Sequence, residues 1–338
     1  MSHTIIIAEA GVNHNGDLEL AKELVDVAAD CRADYVKFQA FKADKLVSIQ
    51  SPKAAYQLQN TGGEESQYDM IRRLELDEKA HKELIAHCAL KGIGFLSSPF
   101  DEDSLRLLIG LNLDYIKIPS GEITNLPFLE ELGLSAVPVI LSTGMSNLNE
   151  IGQALEVLTK GPRTREDVTV LHCNTDYPTA YQDVNLRAMM TISEHFGVKA
   201  GYSDHTLGIE VPIAAIALGA TCIEKHFTLD RNMPGPDHRA SLEPSELKDM
   251  VTSIRNIEVS MGSALKKPTK SELINLPVAR KSIHTKGVLE EGHILTQDDL
   301  VMKRPGDGIS PMDYKSLIGR QLKQNLAAGT KLHTNHLK

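Results

Sequence analysis

The chain is expected to fold as an α/β protein, a TIM (β/α)8 barrel followed by a small, mostly β domain. Three observations carry that expectation. Eight short strand-like runs recur up to about residue 226, amphipathic helical patterns separate most of them, and a polar, basic stretch with two prolines then precedes a tail of different rhythm. A doubly wound open sheet also alternates strand and helix. Eight parallel strands without a nucleotide fingerprint favour closure instead.

In order, the strand-like runs are TIIIAE (4–9), YVKFQ (35–39), GFLSS (94–98), YIKIPS (115–120), VILST (139–143), VTVLHC (168–173), VKAGYS (198–203) and TCIEKHF (221–227). Between them, LELAKELVDVAADC, KAHKELIAHCALKG with Gly92 as its stop, DEDSLRLLIG, LNEIGQALEVLTKG and the run 210–218 carry apolar residues at helical spacing. A further helix is expected from Pro244 to about Met261. The domains are therefore 1–262 as the barrel, 263–277 as a linker containing Pro268 and Pro277, and 278–338 as the second domain, with short strands and glycine-centred turns.

Composition narrows the class. A formal charge of -9 argues against a nucleic-acid or anionic-membrane partner, so any anionic ligand must be held locally. No apolar stretch is long enough to span a bilayer, and the amino-terminal run is too short for a signal peptide, which points to the cytoplasm. Cys31, Cys88, Cys173 and Cys222 are far apart and form no CxxC pair, as expected of reduced, buried thiols.

The most informative stretch is 198–229, a strand, a helix and a second strand, with His205 and His226 at the two strand ends. Parallel neighbours lie roughly 5 Å apart, so residues just past their carboxyl ends can meet at one divalent cation. The alternative is two imidazoles hydrogen-bonded in a packed layer. In a barrel the active site gathers at the carboxyl ends of the strands. Here those ends supply Glu9, Lys37 with Gln39, Ser98, Lys117 with Ser120 and Glu122, Ser142, Asn174 with Tyr177, Ser203 with His205, and Glu224 with His226. Lysines inside YVKFQ and YIKIPS are costly to bury unless an anion awaits them, and with the serines they could cradle a phosphorylated or carboxylated ligand. Two Lys-Glu pairs bracing the mouth are the competing explanation. After the eighth strand the PGPDH turn presents Asp237, either to the mouth or to its own turn. In the second domain the RPGDG turn bears Arg304.

Taken together, AEAGVNHNG (8–16), VKFQAFKADKL (36–46), KIPSGEITNLP (117–127), LSTGM (141–145), LHCNTDYPT (171–179), GYSDHT (201–206), EKHFTLD (224–230), PGPDH (234–238) and KRPGDGISP (303–311) closely resemble the bacterial sialic acid synthases, which make N-acetylneuraminic acid or its relative legionaminic acid. The resemblance spans almost the whole chain. It implies a barrel with a small antifreeze-like (SAF) domain, and a condensation of phosphoenolpyruvate with the open-chain aldehyde of an N-acetylated hexosamine that releases phosphate by C-O cleavage. The hexosamine is N-acetylmannosamine or its 2,4-diacetamido-2,4,6-trideoxy analogue; a pseudaminic acid synthase or another phosphoenolpyruvate-dependent sugar-acid synthase is the alternative, and a non-enzymatic sugar-binding protein the distant one.

By residue, the resemblance assigns a divalent ion, Mn2+ with Mg2+ or Co2+ as alternatives, to His205 and His226. Phosphoenolpyruvate is expected near Lys37, Ser98, Lys117, Ser120, Ser142, Tyr177 and Ser203, with Asn174 or Thr175 beside them, and the sugar near Glu9, Gln39 and Asp237. Arg304 is expected on the N-acetyl group, supplied by the partner in a domain-swapped homodimer. Glu122 is the first choice for the acid-base residue, with Glu9 as the alternative.

Overall fold

Residues 3–338 are described by a computed structural model. Its first unit, ending at Gly262, is built on eight strands: β1 (Ile5–Gly11), β2 (Tyr35–Ala40), β3 (Gly94–Pro99), β4 (Ile116–Ile118), β5 (Val139–Ser142), β6 (Val168–Cys173), β7 (Lys199–Asp204) and β8 (Cys222–His226). The paired strands are all parallel and run in the order β3-β2-β1-β8-β7-β6-β5-β4, with β3 and β4 side by side across a seam that has no paired ladder. This is the expected barrel, closed except at that seam. Nearly every strand residue is buried, because helices cover the outside and side chains fill the inside.

Local chemistry sets the helix ends. Asp17, Asp77 and Asp101 each accept backbone N–H bonds at the start of Leu18–Asp30, Glu78–Lys91 and Glu102–Gly110, and Asn147 with Glu150 makes a reciprocal cap for Leu148–Leu158. Gly92 ends the second of these helices at φ +72°, a left-handed conformation that glycine adopts without strain. Helices also form at Leu126–Gly133 and Ala188–Phe196, where no helix was expected. Between β2 and β3 the chain makes a long excursion through three short helices, Ala43–Leu46, Ala55–Thr61 and Gln67–Arg72.

Inside the barrel, Ile7, Leu96, Ile140, Leu171 and Cys222 form a fully buried lower layer. Burying each of the leucines and isoleucines contributes roughly 1.5–3 kcal/mol. The polar strand-end groups sit one layer higher.

The second unit spans 263–338. The stretch 263–277, expected as a linker, carries the helix Lys270–Ala279 over its second half, started by a reciprocal Thr269/Glu272 cap. Beyond it, β9 (Ser282–Thr285) and β10 (Leu300–Lys303) pair antiparallel, and single bridges such as Leu289–Leu326 and Leu322–Leu337 extend the β character. Ile283, Leu289, Leu295, Leu300, Leu317, Leu322, Leu326, Leu332 and Leu337 give this unit a compact core of its own.

Candidate active site

Strand register brings the polar groups together. Glu9 lies beside Lys37 and His226, Gln39 beside Ser98, and Ser203 beside Glu224. Glu9, Lys37, Gln39, Ser98, Lys117, Ser120, Ser142, Tyr177, Ser203, His205, Glu224 and His226 line one cavity of about 160 Å³ at the carboxyl ends of the strands. A larger cavity, about 730 Å³, lies farther out between the 60–65 segment and Pro234–Pro236, and none of those groups lines it.

Both lysines are buried and held by carboxylates. Lys37 Nζ is 2.6 Å from Glu9 Oε2 and donates to Ser98 at 3.0 Å, while Lys117 donates to Glu224 Oε1 at 3.1 Å. The same Glu224 oxygen accepts from the Ser203 hydroxyl at 3.0 Å, and its second oxygen lies 3.7 Å from Lys37. Desolvation opposes ionisation of Glu224, but Lys117 and Lys37 outweigh it and hold the carboxyl down, at about 2. Glu9 has the lesser share of the positive charge, and burial pushes its carboxyl up to about 7. The lysines form the Lys-Glu pairs weighed above, and both also face the cavity. Ser120 Oγ accepts the Gly144 N–H at 2.9 Å and lies 3.3 Å from Cys173 Sγ. A Cβ on Gly144 would lie only 2.5 Å from Thr175, so the close approach behind this bond requires glycine.

The imidazoles of His205 and His226 have ring centroids 5.5 Å apart. His205 Nδ1 donates to the Asn174 carbonyl at 2.5 Å, which fixes the tautomer and leaves Nε2 as a lone-pair donor. His226 Nδ1 is buried with no hydrogen-bond partner. Desolvation lowers both rings, His205 to about 4 and His226 well below its ordinary value, so both are neutral as metal ligands must be. These residues fit a divalent cation. Among the described residues no cluster of three His, Cys, Asp or Glu side chains surrounds a common point, so a cation held by the two histidines would take its other ligands from water or substrate oxygen. Tyr177 packs on His205 at 4.1 Å and edge-on to His226 at 5.8 Å, and Tyr56 from the β2–β3 excursion packs on Tyr177 at 5.1 Å.

Four expected residues lie elsewhere. Glu122 does not line the cavity: β4 ends at Ile118, Pro119 offers no N–H to a ladder, and a single 3-10 turn carries Glu122 aside, where it accepts from Asn125 at 2.6 Å. Asn174 turns its side-chain oxygen to the Asp176 N–H at 2.8 Å, and its neighbour Thr175 lines the cavity instead. Asp237 lines an adjoining chamber of about 280 Å³ with Gln39, Tyr56, Tyr177 and His226, and burial raises its carboxyl to about 6. Arg304 is exposed in the second unit. Sequence reasoning gave no role to Glu224 or Tyr56. Glu224 stood among the strand-end groups beside His226 with no role attached, whereas nothing around Tyr56 marked it.

The sequence profile of the NeuB family matches residues 24–266, and that of the SAF domain matches 280–338. The chain belongs to the NeuB family. Among NeuB relatives, N,N'-diacetyllegionaminic acid synthase from Campylobacter jejuni is 53% identical, over 96% of this chain and 97% of the relative. The enzyme of that name from Legionella pneumophila is 47% identical, over 98% and 94%. A crystal structure of N-acetylneuraminic acid synthetase from Leptospira borgpetersenii in complex with citrate superposes with a TM-score of 0.70 at 35% identity, covering 81% of this chain and 90% of that one.

Proposed function

We infer that this chain is a phosphoenolpyruvate-dependent synthase that condenses the enol with the open-chain aldehyde of an N-acetylated hexosamine, giving a legionaminic acid and phosphate. The Campylobacter and Legionella relatives carry that product in their names. The observation that carries the reading is the convergence of two buried lysines, four serine hydroxyls and two neutral imidazoles on one cavity.

Lys37 and Lys117, with Ser98, Ser120, Ser142 and Ser203, hold the phosphate and carboxylate of phosphoenolpyruvate through charge-assisted hydrogen bonds. Its methylene carbon attacks the aldehyde carbon, forming the new C–C bond, and the aldehyde oxygen takes up a proton to become a hydroxyl. The phosphate-bearing carbon is left cationic, water adds to it and loses a proton, and the C–O bond to phosphate then breaks as the remaining hydroxyl proton passes to the departing phosphate, leaving a 2-keto acid. Glu9 is in the cavity with a carboxyl that exchanges protons near neutral pH, and we assign it the proton transfer. Tyr177 shields both imidazoles from bulk water, and Gln39 and Asp237 meet the sugar in the adjoining chamber. His205 and His226 would hold Mn2+, or Mg2+ or Co2+ in its place, which when bound supplies Lewis-acid polarisation of the aldehyde oxygen.

The same reading extends to assembly and location. Arg304 would reach the N-acetyl group of a sugar bound in the partner's barrel, which makes the working unit a homodimer. The cytoplasm is its proposed location, supported by four unpaired buried cysteines and by the absence, among the described residues, of a helix long and apolar enough to cross a membrane.

Phosphate release from phosphoenolpyruvate with Mn2+ and a panel of N-acetylated hexosamines tests the chemistry. The 2,4-diacetamido-2,4,6-trideoxy sugar should give the fastest release and a product of legionaminic acid mass; turnover confined to N-acetylmannosamine would overturn the substrate assignment. Mixing Arg304→Ala and Glu9→Gln subunits tests the dimer. Activity should partly return, because a trans arrangement leaves one site intact. No recovery in a mixture shown to exchange subunits would overturn it.

A further inference from the structure

Directly behind the two imidazoles, on the outer side of the barrel wall, Lys225 and Asp204 form an ion pair with no exposure of either side chain. Side chains alternate along a strand, so Ser203 and Glu224 face the interior while Asp204 and Lys225 face the helical layer. The ladder between β7 and β8 pairs Tyr202 with Ile223, Ser203 with Glu224 and Asp204 with Lys225, and it stops there, one residue short of His205. Beyond that point β8 is tied to other elements, through Phe227 N to Glu9 O at 2.9 Å and Leu242 N to His226 O at 2.9 Å. His205 likewise gives its carbonyl to Thr179 N at 2.9 Å. The β7–β8 ladder thus ends at the step that carries the two histidines, and past it the two chains diverge to different partners.

The ion pair sits on that last step and carries the link beyond it. Lys225 Nζ bonds the Asp204 carboxylate and donates to the Thr206 carbonyl at 2.7 Å. Asp204 in turn accepts from the Thr206 N–H at 3.1 Å and from its hydroxyl at 3.0 Å. One ammonium thus ties both residues that flank His205 to the residue that precedes His226. Apolar side chains could fill the same space, often with no loss of stability. They could not hold a carboxylate and a carbonyl at once.

We propose that Lys225 and Asp204 are positioning residues that fix the spacing of His205 and His226, and with it the affinity for the divalent cation. This rests on the reading of the two histidines as metal ligands under the proposed function. In metal sites generally, loss of an outer hydrogen-bonding partner weakens binding about 10- to 100-fold.

The test is Mn2+ binding to the metal-free full chain, followed by the electron paramagnetic resonance signal of free Mn2+. Wild type is compared with His205→Ala, with the double variant Asp204→Asn/Lys225→Met, which leaves neither charge buried alone, and with Arg163→Met. Arg163 is a buried guanidinium bonded to the carbonyls of Leu132, Ser135, Val137 and Leu158, so its loss reports destabilisation away from the imidazoles. The double variant should bind Mn2+ about 10- to 100-fold more weakly, with metal-free phosphoenolpyruvate affinity unchanged by calorimetry. Arg163→Met should lower Tm without changing Mn2+ affinity. A folded double variant that binds Mn2+ like wild type, whatever its Tm, overturns the inference. Should the double variant not fold, Asp204→Glu keeps the charge and shifts its position, and unchanged Mn2+ affinity there overturns the inference equally. If wild type and His205→Ala bind Mn2+ alike, the metal reading itself falls and takes this inference with it.

Discussion

Two layers of the barrel interior, one pleat apart on the same strands, differ in almost every property. The lower layer is Ile7, Leu96, Ile140, Leu171 and Cys222. Two residues further along those strands stand Glu9, Ser98, Ser142, Cys173 and Glu224, and Tyr35 and Tyr115 give way in the same step to Lys37 and Lys117. Side chains repeat every second residue along a strand, so one wall presents a dry floor and then a ring of charge and hydroxyls. The floor contributes stability through burial, while the ring holds desolvated charges that are stable only because each lysine meets a carboxylate. Stability and function are thus separated by a single step along the chain.

Exchanging the character of one residue in each layer tests that separation. Lys117→Met should lower kcat/KM by about 10³-fold or more, since it removes a buried ammonium from the cavity, with the cost to stability limited because Lys37 and Ser203 still meet Glu224. Leu171→Ala should do the reverse, destabilising the fold by about 2–5 kcal/mol in denaturant unfolding while kcat stays within a few-fold of wild type.

A titration sharpens the contrast from outside the barrel. His14 is buried, its Nδ1 accepts the Gly16 N–H at 3.0 Å, and its Nε2 has no partner. Desolvation lowers the ring to about 4, whereas the unfolded chain takes up the proton near 6.5. Between those values the unfolded state binds more protons, so stability must fall as pH falls from 6.5 toward 4, by roughly 3 kcal/mol for this group, and be fully present above 6.5. His14→Gln should reduce the slope of that part of the stability-pH curve, to which His205 and His226 also contribute; an unchanged slope would show that His14 contributes none of it.

The last comparison is between two carboxylates. Glu9→Gln should lower kcat by about 10²-fold, and Glu122→Gln by less than about tenfold, because only Glu9 lines the cavity. Equal losses would return Glu122 to the chemistry.

The sequence made the barrel legible because its strands are buried on both faces and so stand out as apolar runs, and their polar ends then pointed to the cavity. The histidine pair and the two in-strand lysines were visible for the same reason: polar groups in apolar runs demand partners. Glu122 was misplaced because a strand was extended to residue 120, when Pro119 ends the ladder and the 3-10 turn swings the chain away from the cavity. Asn174 and Thr175 are adjacent, and only the Asx-type bond to Asp176 decides which faces inward. The β2–β3 excursion was not read at all. Its helices span only 4, 7 and 6 residues, too short to display a helical period, so Tyr56 gave no sign of its place over Tyr177.

The stack of Tyr56, Tyr177 and His205 also makes the site visible to light. The chain has 8 tyrosines and no tryptophan, so its intrinsic fluorescence is tyrosine emission with no indole to mask it. Tyr177 lies 4.1 Å from the His205 ring, within reach of quenching by a paramagnetic ion held there. Adding Mn2+ to the metal-free protein should dim that emission, and Tyr177→Phe should remove most of the change. The residue that seals the imidazoles from water would then report, without any added label, when they are filled.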